Sequence, residues 1–174
     1  DWEYFGNELK KYQQYGIKYG KNNPEQIKRF AELIKLIEHG SDTEFEKQIS
    51  NRLDLDYFAG YLAATSILVN IDSYIGMPHN YYLMMDKANG KLRILPWDLN
   101  ETFGTFTMGR SPEMLVKWDI DKPWISKRRL SERLFKIEDF SKRYRLAITK
   151  LMKEDFTEEK LFNRIDTFEK AITP

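Results

Sequence analysis

The sequence predicts a mainly α domain of the α+β kind, a helical body built around one central β-hairpin. Three observations predict it. Ile27, Phe30, Ala31, Ile34 and Ile37 recur at helical spacing, as do apolar residues near the C-terminus. The run YFAGYLAATSILV is apolar on nearly all sides, which places one helix at the centre of the fold. NYYLMMD and KLRILPW read as two strands, and KANG between them holds the turn-forming pair Asn89-Gly90.

Each element follows in order. The opening DWEYFGNELKKYQQYGIKYGKNN is aromatic and basic with scattered glycine, so it reads as irregular structure or short turns docked by its tyrosines. The first clear helix has Asn23 to cap it, Pro24 at its first position and Gly40 to close it. A second, shorter helix begins at SDTEFEKQIS, where Ser41 and Glu44 have capping-box spacing. The buried third helix is predicted over 56–69, and Gly76 and Pro78 then force a loop. After the hairpin, 101–123 lacks any period and reads as a long ordered loop, often a functional element in a compact domain. The remainder reads as helical: a short helix over 131–136, a longer one over 139–153, and a last one capped by Thr157. The stripe of that last helix is Leu161, Ile165, Phe168 and Ile172.

Composition narrows the function classes. The 174 residues suit one domain or a large piece of one, and a hydrophobic content of 41% suffices for a core. A net charge of +1 gives no global field for nucleic acid or a membrane surface. Without cysteine there is neither a disulfide framework nor a thiolate metal site. With two histidines, His39 at a helix end and His79 in a loop, a His-based metal site is excluded as the leading reading. His79 is expected to shape its loop by packing or hydrogen bonding. The longest apolar run falls short of the ~20 residues a membrane span needs. The chain opens on DWEYF without an initiator methionine, so it is expected to be a fragment of a longer protein. The missing signal peptide therefore leaves the compartment open.

The chemistry concentrates between Asn70 and Gly104. Asp72 follows the buried helix, Asn80 opens the first strand, and Asp98 follows the second strand after Pro96-Trp97. Antiparallel pairing returns the chain, so Asp98 is expected beside Asn80 and Asp72 beside both. An Asp and an Asn supply hard oxygen ligands of the kind Mg²⁺ takes together with phosphate oxygens. The other Asp is then free to accept a proton from a hydroxyl in phosphoryl transfer. A protein-kinase catalytic lobe has this order: a base Asp in a loop after a buried helix, an Asn, a hairpin and a metal-binding Asp. The Asp72-to-Asn80 gap is three residues longer than in the usual kinase spelling, so the general signature alone is a weak match.

More specific stretches carry a closer resemblance. ILVNIDSY, HNYYLMMD, GKLRILPWDLNETFG and the leading RLDLDYFAGYLAATSILVN closely resemble the CotH family of spore-coat-protein-H-like atypical kinases, secreted or coat-associated. RRLSERLFKIEDFSKRYRLAITKLM and the terminal helix resemble it too. The resemblance implies a helical, protein-kinase-like C-terminal lobe over 1–174. It implies Asp72 as the catalytic residue, Asn80 and Asp98 as metal and cofactor ligands, and ATP with Mg²⁺ or Mn²⁺. Family members often have an acid at Asn100, which is thus a possible further metal contact. The resemblance also implies a Ser/Thr-containing coat or surface protein as substrate, and an extracytoplasmic, cell-surface or spore-coat setting. Neither a Gly-rich loop nor a strand-borne Lys precedes Asp72. The expectation is that the ATP-covering N-terminal lobe lies outside this chain as its partner, and that the isolated fragment transfers little phosphate.

Two other classes stay open: a non-catalytic coat or surface assembly module (a pseudokinase) and a metal-dependent phosphohydrolase. Retention of Asp72, Asn80 and Asp98 argues against the first, and the scarcity of nearby acids against the second. For single residues the plain readings are loop hydrogen bonding for Asp72, capping for Asp98 and a turn for Asn80. Trp97 and Phe103 are expected to pack. Thr102, Gly104 and Thr105 read equally as a substrate-site loop or a surface loop. Arg128, Arg129 and Arg133 read as a solvated basic face or, alternatively, a dock for acidic or phosphorylated protein.

Overall fold

The computed structural model describes residues 2–16 and 23–172, so the expectations for 1, 17–22 and 173–174 lie outside the described residues. The N-terminal segment contains a 3-10 helix, Leu9–Tyr15, pinned by the fully buried Tyr12. The Tyr12 hydroxyl accepts from the Phe5 amide at 2.9 Å and donates to the Gly6 carbonyl at 3.1 Å. Trp2 packs edge-on against Phe30, and its Nε1 donates to the Tyr81 hydroxyl at 3.1 Å. The aromatic opening therefore docks on the first helix and the hairpin.

Helix α1 (Pro24–His39) starts where the Asn23 side chain accepts from the Glu25 and Gln26 amides. At its end Gly40 is extended rather than left-handed. Glycine is required there by space: a Cβ would lie 2.7 Å from the Leu36 carbonyl oxygen. Helix α2 (Asp42–Gln48) carries both halves of the Ser41–Glu44 capping box. Helix α3 (Leu55–Ile67) begins at an Asp54 cap and stops two residues short of the expected 69. Val69 adopts a left-handed φ of 47°, which a β-branched residue resists and a helix cannot continue through. As the apolar run requires, α3 sits in the core and packs along α6 (Glu138–Glu154) through Phe58 and Phe140.

Strands β1 (Tyr81–Met85) and β2 (Leu92–Pro96) pair antiparallel, Tyr81 opposite Pro96 and Met85 opposite Leu92. The turn is closed by Asp86, which accepts from the Ala88 amide and the Asn89 side chain, while Gly90 takes φ 70°. Arg93 bonds Asp54 at 2.7 Å and Asp86 at 3.2 Å, so one guanidinium joins the strands to the start of α3. Burial pushes the Asp54 carboxyl up, but hydrogen bonds from Arg93 and the Tyr57 amide outweigh it and hold it below the ordinary value.

The long segment after β2 is irregular as expected, except for a short helix α4 (Pro112–Val116) capped by Ser111. The Ser-Pro start was a legible cap signal that the segment's lack of period hid. Helix α5 spans Arg129–Leu134, two residues earlier than expected, and α7 spans Glu158–Ile172 behind Thr157. The α7 stripe does not join the core: Ile165, Phe168 and Ile172 are all exposed.

The arginine cluster is not a solvated face. Arg128 is buried, and Arg129 pairs with Glu38 at 2.6 Å. Arg133 donates to the Leu36, Ile37, Gly40 and Ser41 carbonyls at 2.8–3.0 Å and lies over the Phe45 ring. It caps the C-terminus of α1, where a cation is favoured by the carbonyl end of the helix dipole.

Candidate active site at the mouth of the hairpin

The loop from Ile71 to Asn80 is a buried base that turns one acid outward. Ile71, Ser73, Tyr74, Ile75 and Gly76 are buried, and Asp72 between them is partly exposed. The Ser73 hydroxyl donates to the Asn70 carbonyl at 2.7 Å, and the Met77 amide donates to the Ile71 carbonyl at 3.0 Å. Gly76 is compulsory because a Cβ there would overlap the Ile71 carbonyl. Burial pushes the Tyr61 hydroxyl beneath this loop up to about 12 and raises Tyr74 as well, so both phenols stay neutral.

Asp72 and Asn80 meet directly. The Asn80 Nδ2 donates to both the Asp72 carbonyl and Asp72 Oδ2, each at 2.8 Å. His79 Nε2 lies 3.0 Å from Asp72 Oδ1, an ion-pair distance within the loop that His79 was expected to shape. Asn80 holds a left-handed φ of 56°, a conformation Asn tolerates better than most residues.

Asp98 reaches the same end of the hairpin by a different route. The Trp97 amide donates to the Asn80 carbonyl at 3.0 Å, the last rung before the strands part. The next residue, Asp98, turns away with φ 54°. Its exposed carboxylate makes no hydrogen bond or ion pair among the described residues. The structure thus brings Asp72 and Asn80 into contact and leaves Asp98 at the same end of the hairpin without a side-chain hydrogen bond to either. Asn100 is exposed, and its amide faces Glu101 at 3.4 Å.

The donor set suits a hard divalent cation held loosely. With Nδ2 committed to Asp72, Asn80 Oδ1 is the atom of that amide that could serve a metal, and the Asp98 carboxylate has no hydrogen bond or ion pair among the described residues. Among the described residues no group of three or more His, Cys, Asp and Glu could enclose a metal. One amide and one carboxylate match Mg²⁺, which keeps several waters and takes phosphate oxygens, better than a protein-only cage.

The surroundings are more open than expected. Trp97 is 56% exposed and touches Tyr82 at 5.7 Å between ring centres, and Phe103 is 71% exposed. Neither packs inside: Trp97 stands at the exposed end of the hairpin, just before Asp98 turns away, and Phe103 itself takes a left-handed φ of 56°. Phe103 is anchored instead by its backbone amide, which donates to the Leu68 carbonyl at 2.6 Å. Thr105 bonds the Thr102 carbonyl, which orders the loop after Asp98. A cleft of about 1330 Å³ runs along the hairpin between α1 and His79, lined by Trp2, Tyr15, Phe30, Tyr82 and Trp97 among others.

A model of the family described as CotH kinase protein matches residues 4–174. This chain belongs to the CotH family. Inner spore coat protein H of Bacillus subtilis (strain 168) is 24% identical over 131 residues, which is 75% of this chain and 34% of that protein. The CotH-family chain therefore spans about a third of the length of that curated relative. Among its described residues no helix is long and apolar enough to cross a membrane.

Sequence reasoning missed Arg128 at this site. Its Nε donates to the Tyr74 carbonyl at 2.8 Å and its Nη2 to the Gly76 carbonyl. The signal lay in its neighbours, Trp124 and Leu130, which are buried on either side. An arginine between two core residues is placed at the boundary, whatever the charge of the residues next to it.

Proposed function

We propose that this CotH-family chain is the catalytic lobe of an ATP- and Mg²⁺-dependent protein Ser/Thr kinase acting on coat or surface proteins. The observation that carries the reading is the Asp72–Asn80 contact at the mouth of the hairpin, with Asp98 one residue beyond the last rung. Asp72 orients the substrate hydroxyl and accepts its proton as the oxygen bonds to the γ-phosphorus. The bond from that phosphorus to the β–γ bridging oxygen breaks, and ADP leaves. Asn80 Oδ1 and the Asp98 carboxylate are the groups that hold the divalent ion, which when bound neutralises charge on the ATP phosphates. An N-terminal lobe outside this chain covers the nucleotide and supplies the phosphate-binding Lys. The resemblance to the Bacillus coat protein supports an extracytoplasmic or spore-coat setting.

A second reading, a coat or surface assembly module that keeps the fold without transfer, has one observation in its favour. Both Asp72 carboxylate oxygens already have a close neighbour: the Asn80 amide donates to Oδ2, and His79 Nε2 lies 3.0 Å from Oδ1. The test is phosphate transfer from radiolabelled ATP to protein, with Mg²⁺ or Mn²⁺, using the full-length protein that carries this chain. Wild type is expected to label substrate, and Asp72→Ala and Asp98→Ala to fall to background. Label that survives both substitutions defeats the kinase reading. A wild type that transfers nothing yet binds a coat component establishes the assembly module.

A further inference from the structure

Three consecutive carbonyls of the Asp72 loop are held by one short segment of chain. The Ile125 amide donates to the Ile75 carbonyl at 2.7 Å. On either side the Arg128 guanidinium takes the Tyr74 carbonyl through Nε, at 2.8 Å, and the Gly76 carbonyl through Nη2. Its Nη1 donates to the Lys127 carbonyl at 2.9 Å. Arg128 is only 5% exposed, and among the described residues no carboxylate pairs with it. A buried, unpaired cation is costly, and only a full set of acceptors offsets that cost. The acceptors here are backbone oxygens of the loop that presents Asp72. The fork is planar, so it fixes the spacing of two carbonyls in a way the single point charge of a lysine does not.

We propose that Arg128 is a positioning residue for this site: it sets the curvature of the 73–76 backbone and thereby holds Asp72 against Asn80. The assignment rests on the phosphoryl-transfer reading for its kinetic consequence but not for its structural one. The segment that carries Arg128 lies 56 residues after Asp72 in the sequence, so it joins the site to the start of α5. Ser131 reinforces the link, its hydroxyl facing the Tyr74 hydroxyl at 3.4 Å.

The test compares Arg128→Lys and Arg128→Met with wild type in the full-length protein, by amide hydrogen exchange and by steady-state kinetics. Both variants are expected to melt cooperatively. Exchange is expected to quicken at Gly76, Met77 and Ile125 while the α6 amides keep wild-type protection. Displacing a catalytic group by about 1 Å costs roughly 10²-fold, so kcat is expected to fall by about that factor with KM for ATP changed by less than about threefold. Exchange that quickens equally in α3 and α6, or wild-type protection at Gly76 and Met77 in Arg128→Lys, overturns the assignment. So does a full return of kcat in Arg128→Lys. If wild type transfers no phosphate, the kinase reading falls, and selective exchange at the loop alone decides the role of Arg128. Should Arg128→Met fail to fold, Arg128→Lys carries the comparison.

Discussion

Replacing Asn80 separates the two things this residue does. Its side chain donates to a neutral carbonyl and to a carboxylate, both on Asp72 and both at 2.8 Å. The neutral bond contributes about 1 kcal/mol and the partly exposed charged one about 1.5 kcal/mol. Alanine at φ 56° adds a left-handed penalty of about 1 kcal/mol that glycine avoids. Asn80→Ala is therefore expected to lose about 3.5 kcal/mol of unfolding free energy, and Asn80→Gly about 2.5 kcal/mol. At this chain length that places the alanine variant roughly 10 °C below wild type in Tm. Urea unfolding followed by tryptophan fluorescence measures both, with the slope m compared to confirm an unchanged reference state. Equal stability of the two variants would show that the backbone conformation is not held against strain. A loss under about 1 kcal/mol in Asn80→Ala would show that the contact with Asp72 adds little.

Three more outcomes follow from the geometry. Gly76→Ala is expected to lose more than about 3 kcal/mol, because the new Cβ overlaps the Ile71 carbonyl. Soluble, cooperative unfolding with a wild-type midpoint would contradict the tight turn. Arg133→Met is expected to lose about 3 kcal/mol through the carbonyls it caps at the end of α1, with faster amide exchange in the last turn of that helix. Exchange unchanged there would place the role of Arg133 elsewhere. Asp54 is held below its ordinary 3.8, so the folded state binds fewer protons than the unfolded one. Its contribution is complete above that value and is lost as pH falls through the depressed one. Asp54→Asn is thus expected to be less stable than wild type at neutral pH but flatter below pH about 4. Parallel acid curves for the two proteins would remove Asp54 from the account.

Much of the fold was legible because the signals were local. Asn23, Pro24, Ser41 and Glu44 mark helix ends through bonds to their own turns, and each forms as the spacing requires. The hairpin was equally plain from its two strand-like runs and from Asn89-Gly90 between them. What escaped the sequence depends on distant partners. Arg128, Arg129 and Arg133 read as surface charge, yet their acceptors lie on residues 36–42 and 74–76, far away in the chain. The α7 stripe has the period of a core helix, but period alone names no partner, and no described residue of α7 is buried. At the site, topology alone predicted that Asn80 would meet Asp72. It could not predict that Asp98 turns away at φ 54°, because that choice is made by one residue's backbone.

The direct measure of the central claim is Mn²⁺ binding by electron paramagnetic resonance, with a non-transferable ATP analogue, in the full-length protein. Asn80 and Asp98 hold the ion in this account, while Asp72 handles the proton. Asp72→Asn, which keeps an acceptor for the Asn80 amide, is expected to bind Mn²⁺ as wild type does and to transfer no phosphate from ATP. Asp98→Asn is expected to weaken Mn²⁺ binding by at least about tenfold. Wild-type Mn²⁺ affinity in Asp98→Asn, or equal losses in both variants, would contradict the assignment of these roles.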